Sequence, residues 1–509
     1  MNNRIATIYI ASSNIIMKIA EKREKEVMIL EDLNYPINLA HDTFSRSNVP
    51  YEKIKRLNIA INNFKKITEE YLVDKIIIFA TAALREALNK DYIIYQIRNN
   101  NQLEVEIFDN IEEHQLIYQG IRNTNKNLEA VNLFAYIGTG SLGVALANKN
   151  HVLDSQSITL GSLKISEILR GIQHKTDEYH GVIDDYLSGY IYNLNLFIQE
   201  YNINNFYVSG KEIELIAKLT GINVTSNSFI ILRADFYRLY NDVKGKTPKQ
   251  LLEKYKLDEV EAEILLTSMT IYKNLMNLTQ SEKIIGSTVT IETEIIRNNL
   301  FSERSSELKS QSYKNIIASS RSIARKYNYN RDHEEFTEKI ALEIFDALKK
   351  RFNFSENERI ILQSAVILHD IGKYLNLKNH SEHSYYLIVN SDITDLNSYY
   401  KDIVAHIALN HSQSSTTNLK IKNTSFNNYQ ERVQIAKLTA ILKVADALDK
   451  SHKEPFSEIN INLKNDQLEI IINTEKDIFL EKWAFNFKSR IFKEVFGIDI
   501  ILNKKSTFI

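Results

Sequence analysis

Half of the chain's twelve histidines fall in one window: His333, His369, His380, His383, His406 and His411. His369 is followed directly by Asp370 at the end of an apolar run, His333 lies one helix earlier, and Asp446 follows Val444 and Ala445 on a later helix. Neutral imidazoles and carboxylates gathered from packed helices could converge on one cation, and such a donor set suits Zn, Mn or Fe better than Mg. Cysteine is absent, which removes thiolate zinc sites, disulfides and cysteine nucleophiles together and fits a reducing compartment. Any metal must then be held by His and carboxylate. Taken singly, each of these histidines is more readily a helix-end cap or a surface residue; the ordered set is what points to a metal.

The elements that must position these residues change character along the chain. The first third alternates short β-branched runs with helical stretches, the pattern of an α/β region. Ile5 to Ile10, Val27 to Leu30 and Ile76 to Phe79 read as strands, with a helix from Tyr51 to Tyr71. A second such unit begins near Val131, where Leu133 to Ile137 runs into Gly138, Thr139, Gly140 and Ser141, and Gly143 to Ala147 returns as a strand. Phe206 to Ser209 and Val224 to Leu232 add shorter strands, and Pro248 to Leu278 reads as helix. From about Ser310 the texture is long amphipathic helices with almost no glycine. Ile340, Ile344 and Leu348 share a helix face with His333 and Phe336. Ser355 and Glu358 form a capping-box pattern before Ile360 to Leu368, and Gly372 stands where that helix can stop. After Glu454, alternation at Ile459, Ile461, Leu463 and at Leu468, Ile470, Ile472 predicts a hairpin, and Phe479 to Phe496 a helix.

A chain of 509 residues has the length of roughly three domains. Sixty-three Lys and Arg balance 64 Asp and Glu, so no global field argues for a nucleic-acid partner or an anionic membrane, and any phosphate site is local. The apolar stretch Ile5 to Met17 is interrupted by Ser12, Ser13 and Asn14, which fits a strand and loop better than a signal-peptide core. No apolar run approaches the ~20 residues of a membrane helix. The expectation is a soluble, cytoplasmic protein.

His333, the His369–Asp370 pair and Asp446 resemble the H…HD…D signature of the HD superfamily of metal phosphohydrolases, whose metals activate water for attack on phosphorus. His380 or His383, with His406 and His411, resemble the further histidines that hold a second metal in binuclear members. Leu368 to Gly372, His383 to Leu387, Asn390 to Asp392 and Leu442 to His452 look like the HD-domain blocks of the exopolyphosphatase / guanosine pentaphosphate phosphohydrolase (Ppx/GppA) family.

The same resemblance covers about the first three hundred residues. Thr81, Leu84, Arg85, Glu86, Ala87 and Asn89 look like the family block in which an arginine faces the phosphate cleft. Glu112, Glu113, Leu116, Ile117, Tyr118 and Gly120 resemble its glutamate block, with Glu113 at the place of the catalytic base. Gly138, Gly140 and Ser141 resemble the second phosphate loop, and Ala11, Ser12 and Ser13 occupy the first; such loops hold phosphate through backbone N–H groups. The implied chemistry is water attack promoted by Glu113, with the loops and Arg85 holding phosphates and Mg²⁺ shielding their charge. The chain departs from the family at the metal-facing carboxylates: Tyr9 and Tyr136 stand where aspartates are usual and Gly143 where a glutamate is. Removal of that charge argues against a directly held Mg²⁺ there. Ser209, Gly210 and Lys211 replace a glycine-rich turn, and Ser287 to Asn298 lacks the family's Gly-Leu-Arg-Glu-Gly pattern.

The resemblance thus implies an α/β plus α architecture: actin-like (sugar kinase/heat-shock/actin) lobes over residues 1–125 and 126–300, an all-helical HD-type domain over 302–455, and a small C-terminal α/β extension over 456–509. Proteins of this look commonly form homodimers. Three functions stand open. The first is a phosphoanhydride hydrolase acting on polyphosphate or guanosine penta/tetraphosphate at Glu113, with Mg²⁺. The second is hydrolysis of a nucleotide or phosphate ester at an HD centre holding Mn, Fe or Zn. The third is a non-catalytic sensor that binds polyphosphate or such an alarmone.

Overall fold

β1 (Arg4–Ile10) is buried along nearly its whole length, as a strand covered on both faces must be. Ala11 to Ser13 turns the chain straight back into β2 (Asn14–Arg23), with the Ala11 N–H donating to the Asn14 carbonyl at 2.9 Å. The apolar stretch from Ile5 to Met17 is therefore two paired strands, and its polar interruption is the hairpin turn. β3 (Glu26–Pro36) completes an antiparallel meander, and β4 (Lys75–Ala80) and β5 (Glu106–Ile107) extend it in parallel on the other side of β1. The strand order is β3-β2-β1-β4-β5.

The computed structural model describes residues 3–504 except 25, 126–127, 129, 150–151, 174, 177, 200, 225, 302–304, 413–418, 423–425, 427, 457 and 465. The boundaries expected at residues 126 and 302 fall outside the described residues. The chain divides into two compact units, Met1–Gln311 and Ser312–Ile509.

Within the first unit a second sheet repeats the first. β6 (Asn132–Ile137), β7 (Leu142–Ala147) and β8 (Val152–Ile158) form the meander, and β9 (Asn205–Ser209) and β11 (Lys283–Ser287) continue it in parallel. The order β8-β7-β6-β9-β11 matches β3-β2-β1-β4-β5, with β10 (Ser228–Leu232) added antiparallel at the edge. Two lobes of one topology are the duplication expected of an actin-like protein. The turns after β1 and after β6 occupy equivalent places, and Thr139 Oγ1 of one donates to Ser12 Oγ of the other at 2.6 Å. The helical stretch from Pro248 divides at Lys256, a left-handed cap at φ 54°, before an Asp258–Glu261 capping box opens the helix Glu259–Asn277.

In the second unit, described residues up to Pro455 form only helices and their connections. The helix Arg331–Phe352 is amphipathic and buries Ile340, Ile344 and Leu348; the predicted Ser355–Glu358 capping box opens Glu356–Leu368. Ile403 to Asn410 in the helix Ser398–Asn410, and Leu438 to Ala447 in Tyr429–Ala447, are buried without interruption. A helix apolar on all sides belongs at the centre of a bundle, so the ends of these two lie in its interior. β12 (Glu458–Lys464) and β13 (Gln467–Asn473) form the expected hairpin. The helix Phe479–Phe496 then carries the chain across to β14 (Asp499–Lys504), an unanticipated third strand parallel to β13.

Candidate functional site

Three helix-end histidines of the second unit use one local device. His369 caps the helix Glu356–Leu368 and donates Nδ1–H to the Val366 carbonyl at 2.6 Å, three residues back. His411 caps Ser398–Asn410 and donates to the Ala408 carbonyl at 2.6 Å, and His380, at the start of His380–Val389, to the Leu377 carbonyl at 3.1 Å. The last carbonyls of a helix lack intrahelical partners, so His369 and His411 have an acceptor at hand, while His380 finds one in the turn that precedes its helix. His333, in the first turn of Arg331–Phe352, donates Nδ1–H to the Asp449 carboxylate at 2.7 Å. Asp449 is itself fixed by the Lys453 and Glu454 N–H groups at 3.0 and 2.9 Å. A carbonyl or carboxylate can only accept, so each Nδ1 carries a proton and each Nε2 is turned toward the carboxylates of the cluster, the arrangement of metal-ligating histidines; the Nε2 atoms of His380 and His411 lie 3.2 Å apart.

The four Nε2 atoms meet two carboxylates. Asp370 Oδ2 lies 3.5 Å from His369 Nε2, while its Oδ1 lies 3.5 Å from both His380 Nε2 and His411 Nε2. Asp446 Oδ1 is 3.6 Å from His333 Nε2 and 3.9 Å from His369 Nε2. The donor atoms of His333, His369 and Asp370 lie within 4.8 Å of one another, as do those of Asp370, His380 and His411. Atoms that each bind one ion at about 2.1 Å stand roughly 3–4 Å apart, so the spacing fits two cation positions sharing Asp370. The Nε2 atoms of His333 and His369 are buried and find no hydrogen-bond partner among the described residues. Burial pushes His369 down to about 4 and so keeps it neutral. Burial also opposes ionisation of Asp370 and Asp446, but neighbouring imidazoles outweigh it and hold both carboxyls well below the usual range. For His333 burial acts downward and the carboxylates of Asp446 and Asp449 prevail, raising the ring to about 9. The Lys373 ammonium contacts Asp370 Oδ2.

Two anticipated ligands are not brought in. His406 donates Nδ1–H to the Asp402 carbonyl at 2.7 Å and accepts at Nε2 from the Lys422 N–H at 3.2 Å. Its ring packs edge-on against Tyr385 and Phe426, so it is a fully satisfied core histidine. His383 belongs to neither donor group; its Cβ presses on the turn at Gly372, and His380 supplies the imidazole instead. Asp449, which holds His333, carries no signal of its own in the sequence, although it follows Asp446 by one helical turn inside the segment Leu442 to His452. His452 likewise carries none; its ring lies 3.8 Å from that of His333.

In the first unit a cavity of about 100 Å³ lies between the two equivalent turns and is lined by Ser12, Ser13, Gly138, Tyr9, Tyr136 and Glu113 among others. Glu113 is 3 % exposed on the helix Asn110–Thr124, whose Asp109–Glu112 capping box sets its start. Burial raises the Glu113 carboxyl to about 7, against the opposing pull of Arg85 and of the Tyr136 hydroxyl. Arg85 does not line the cavity: it donates to the Phe108 carbonyl at 2.6 Å and to Asn110 Oδ1, and stands 3.8 Å from Glu113. Gly140 backs onto Ala82 and Phe44, and the Ser141 hydroxyl is engaged by His114 at 3.2 Å, so neither faces the cavity. The Tyr9 hydroxyl is hydrogen-bonded to Thr81 Oγ1 at 2.9 Å and its ring stacks on Phe79. Burial raises both Tyr9 and Tyr136, which keeps them neutral where carboxylates were expected. At Gly143 a Cβ would meet the His114 ring at 2.4 Å and Tyr118 Oη at 2.6 Å, so the room for a third carboxylate is already filled.

Duplicated lobes with facing Gly/Ser turns and a buried glutamate between them define a protein of actin-like fold. The chain belongs to the Ppx/GppA phosphatase family, whose model matches residues 18–303, and the model of Ppx/GppA phosphatase domain III matches residues 317–486. It is 19% identical over 457 residues to the guanosine-5'-triphosphate,3'-diphosphate pyrophosphatase of Photobacterium profundum, spanning 89% of this chain and 88% of that one. The fold is shared with an exopolyphosphatase from Cytophaga hutchinsonii (TM-score 0.54, 19% identity, 59% of this chain and 98% of that one). It is shared also with the Ppx/GppA family member of Aquifex aeolicus (TM-score 0.52, 15% identity, 59% and 98%). Among the described residues no helix is long and apolar enough to cross a membrane.

Proposed function

We propose that this chain is a phosphohydrolase whose hydrolytic centre is the His–Asp cluster of the second unit, an HD-type site for Mn, Fe or Zn. The observation that carries the reading is the convergence of four imidazoles, each with Nδ1 committed to an acceptor, on Asp370 and Asp446. His333, His369, Asp370 and Asp446 would hold one ion, and His380 and His411 a second with Asp370 between them. Bound there, the ions supply positive charge to a phosphoryl oxygen and make a water nucleophilic at neutral pH. The protein's own contribution is a rigid donor set: the Nδ1–H bonds fix each ring's tautomer and orientation before any ligand arrives. Lys373, paired with Asp370, would meet a phosphate oxygen.

A second reading is favoured by Glu113. A buried carboxyl near 7 suits a general base at neutral pH, and it sits between turns built like phosphate loops. On that reading the cleft hydrolyses polyphosphate or guanosine penta/tetraphosphate; the Photobacterium relative is named for guanosine-5'-triphosphate,3'-diphosphate and the Cytophaga neighbour for polyphosphate. Against it stand Tyr9 and Tyr136, neutral where carboxylates would hold Mg²⁺. The two readings separate in one assay of phosphate release from nucleotides, polyphosphate and guanosine pentaphosphate with Mn²⁺ or Mg²⁺. The cluster reading expects Asp370→Ala to abolish release, by a hundredfold or more, and Glu113→Gln to leave it within about twofold. The opposite pattern assigns catalysis to the cleft, and no release from any substrate leaves a binding protein.

A further inference from the structure

Next to the cluster opens a cavity of about 440 Å³, within the roughly 300–1,000 Å³ of small-molecule sites and far more than an isolated phosphate needs. Away from the cluster its walls are aromatic and polar. Tyr327 and Tyr374 stand edge to face with ring centroids 5.6 Å apart, and Tyr374 is 60% exposed, so one face of its ring is open. Tyr374 closes the short 3₁₀ turn Ile371–Tyr374 that follows Asp370, which places the phenol ring and the cluster on a single turn of chain. Glu334 forms part of the wall; it is 3% exposed and neither of its carboxylate oxygens meets a donor among the described residues. Lys373 is the one lysine or arginine in the described lining.

We propose that this cavity binds a nucleoside mono- or diphosphate, with the base stacked on Tyr374, its polar edge at Glu334 and its phosphate at Lys373 and the His–Asp cluster. The inference rests on the cluster reading for the fate of the phosphate, but the base platform stands independently of it. A long polyphosphate would bring a negative charge with each unit and needs a row of cations beyond the cluster, where the described lining offers only Lys373. A base, by contrast, brings an aromatic face and N–H groups, which the tyrosine rings and the buried Glu334 carboxyl, itself beside Glu338, complement. Stacking on an aromatic side chain is worth roughly tenfold or more in affinity per base.

Calorimetry on the full chain, with and without Mn²⁺, would compare AMP, GMP and GDP with ribose 5-phosphate and tripolyphosphate. At least one nucleotide should bind roughly tenfold or more tightly than ribose 5-phosphate. Tyr374→Ala should erase that preference and Tyr374→Phe, which keeps the ring, should retain it. Equal binding of ribose 5-phosphate or tripolyphosphate would overturn the proposal, as would a nucleotide preference untouched by Tyr374→Ala, since binding would then lie elsewhere. Nucleotide binding that depends on Tyr374 but leads to no phosphate release with Mn²⁺ would remove the hydrolase reading and uphold this one.

Discussion

At the scale of single residues the two sites differ in how they treat charge. The cluster keeps Asp370 and Asp446 ionised by surrounding them with imidazoles, while the cleft buries Glu113 and surrounds it with neutral phenols. Glu113 has a consequence for stability. Its ordinary value is 4.5 and its folded value about 7, so between the two the folded chain holds a proton that the unfolded chain releases. The stability this proton confers is complete below 4.5 and is lost as the pH climbs through about 7. Glu113→Gln removes the ionisable group, so its stability relative to wild type should be higher at pH 8 than at pH 5 by about 1–3 kcal/mol. Thermal unfolding at the two pH values measures this, and an equal gap at both would show that Glu113 is not held protonated. From sequence, His333, His369, Asp370, Asp446 and His411 were legible as a set because residue type and order carry that signal. His383 and His406 misled because type alone does not tell which way a ring faces. His406 lies on a fully buried helix with an acceptor behind it and a backbone donor in front, and neither partner is visible in the sequence.

Elements decide which histidine arrives at Asp370. The turn after Asp370 is tied to the helix His380–Val389 by the Gly372 N–H, which donates to Ser384 Oγ at 2.9 Å, while Ser384 Oγ donates to the His369 carbonyl at 2.6 Å. The helix comes so close that a Cβ on Gly372 would lie 2.0 Å from the His380 carbonyl oxygen and 2.3 Å from the Ser384 nitrogen. Gly372→Ala must therefore push that helix away and take His380 with it. The expected result is a loss of about 2–3 kcal/mol in stability and a fall from about two metal ions to about one per chain. Full metal content in a stably folded variant would contradict this. Strongly amphipathic or capped elements, such as Arg331–Phe352 and the Ser355–Glu358 start, were readable in advance because their periodicity is on the surface. β2 was hidden in one apolar run with β1, and β14 lay beyond the last clear pattern. Register and pairing partner, not composition, make those strands.

For the whole molecule, the repeated strand order of the two lobes and the helical second unit agree with the expected α/β plus α architecture. The apolar cluster that joins the bundle to β12–β14 draws all its residues from the second unit, Ile316 to Ile500. Residues 312–509 expressed alone should consequently unfold in a single cooperative transition and keep the proposed metal centre, since every donor of it lies within them; a molten or insoluble product would show that the first unit completes that core. Tyr9 and Tyr136 stand in the cleft where the family resemblance implies carboxylates, and the donor set proposed for divalent ions is found in the other unit. The most direct test of that account is the metal bound per chain, measured by elemental analysis after dialysis against Mn²⁺, for the wild type and Asp370→Ala. The account predicts about two ions in the wild type and a loss of most of that content in the variant, because Asp370 is shared by both positions. Equal metal in the two proteins, or none in either, would contradict it.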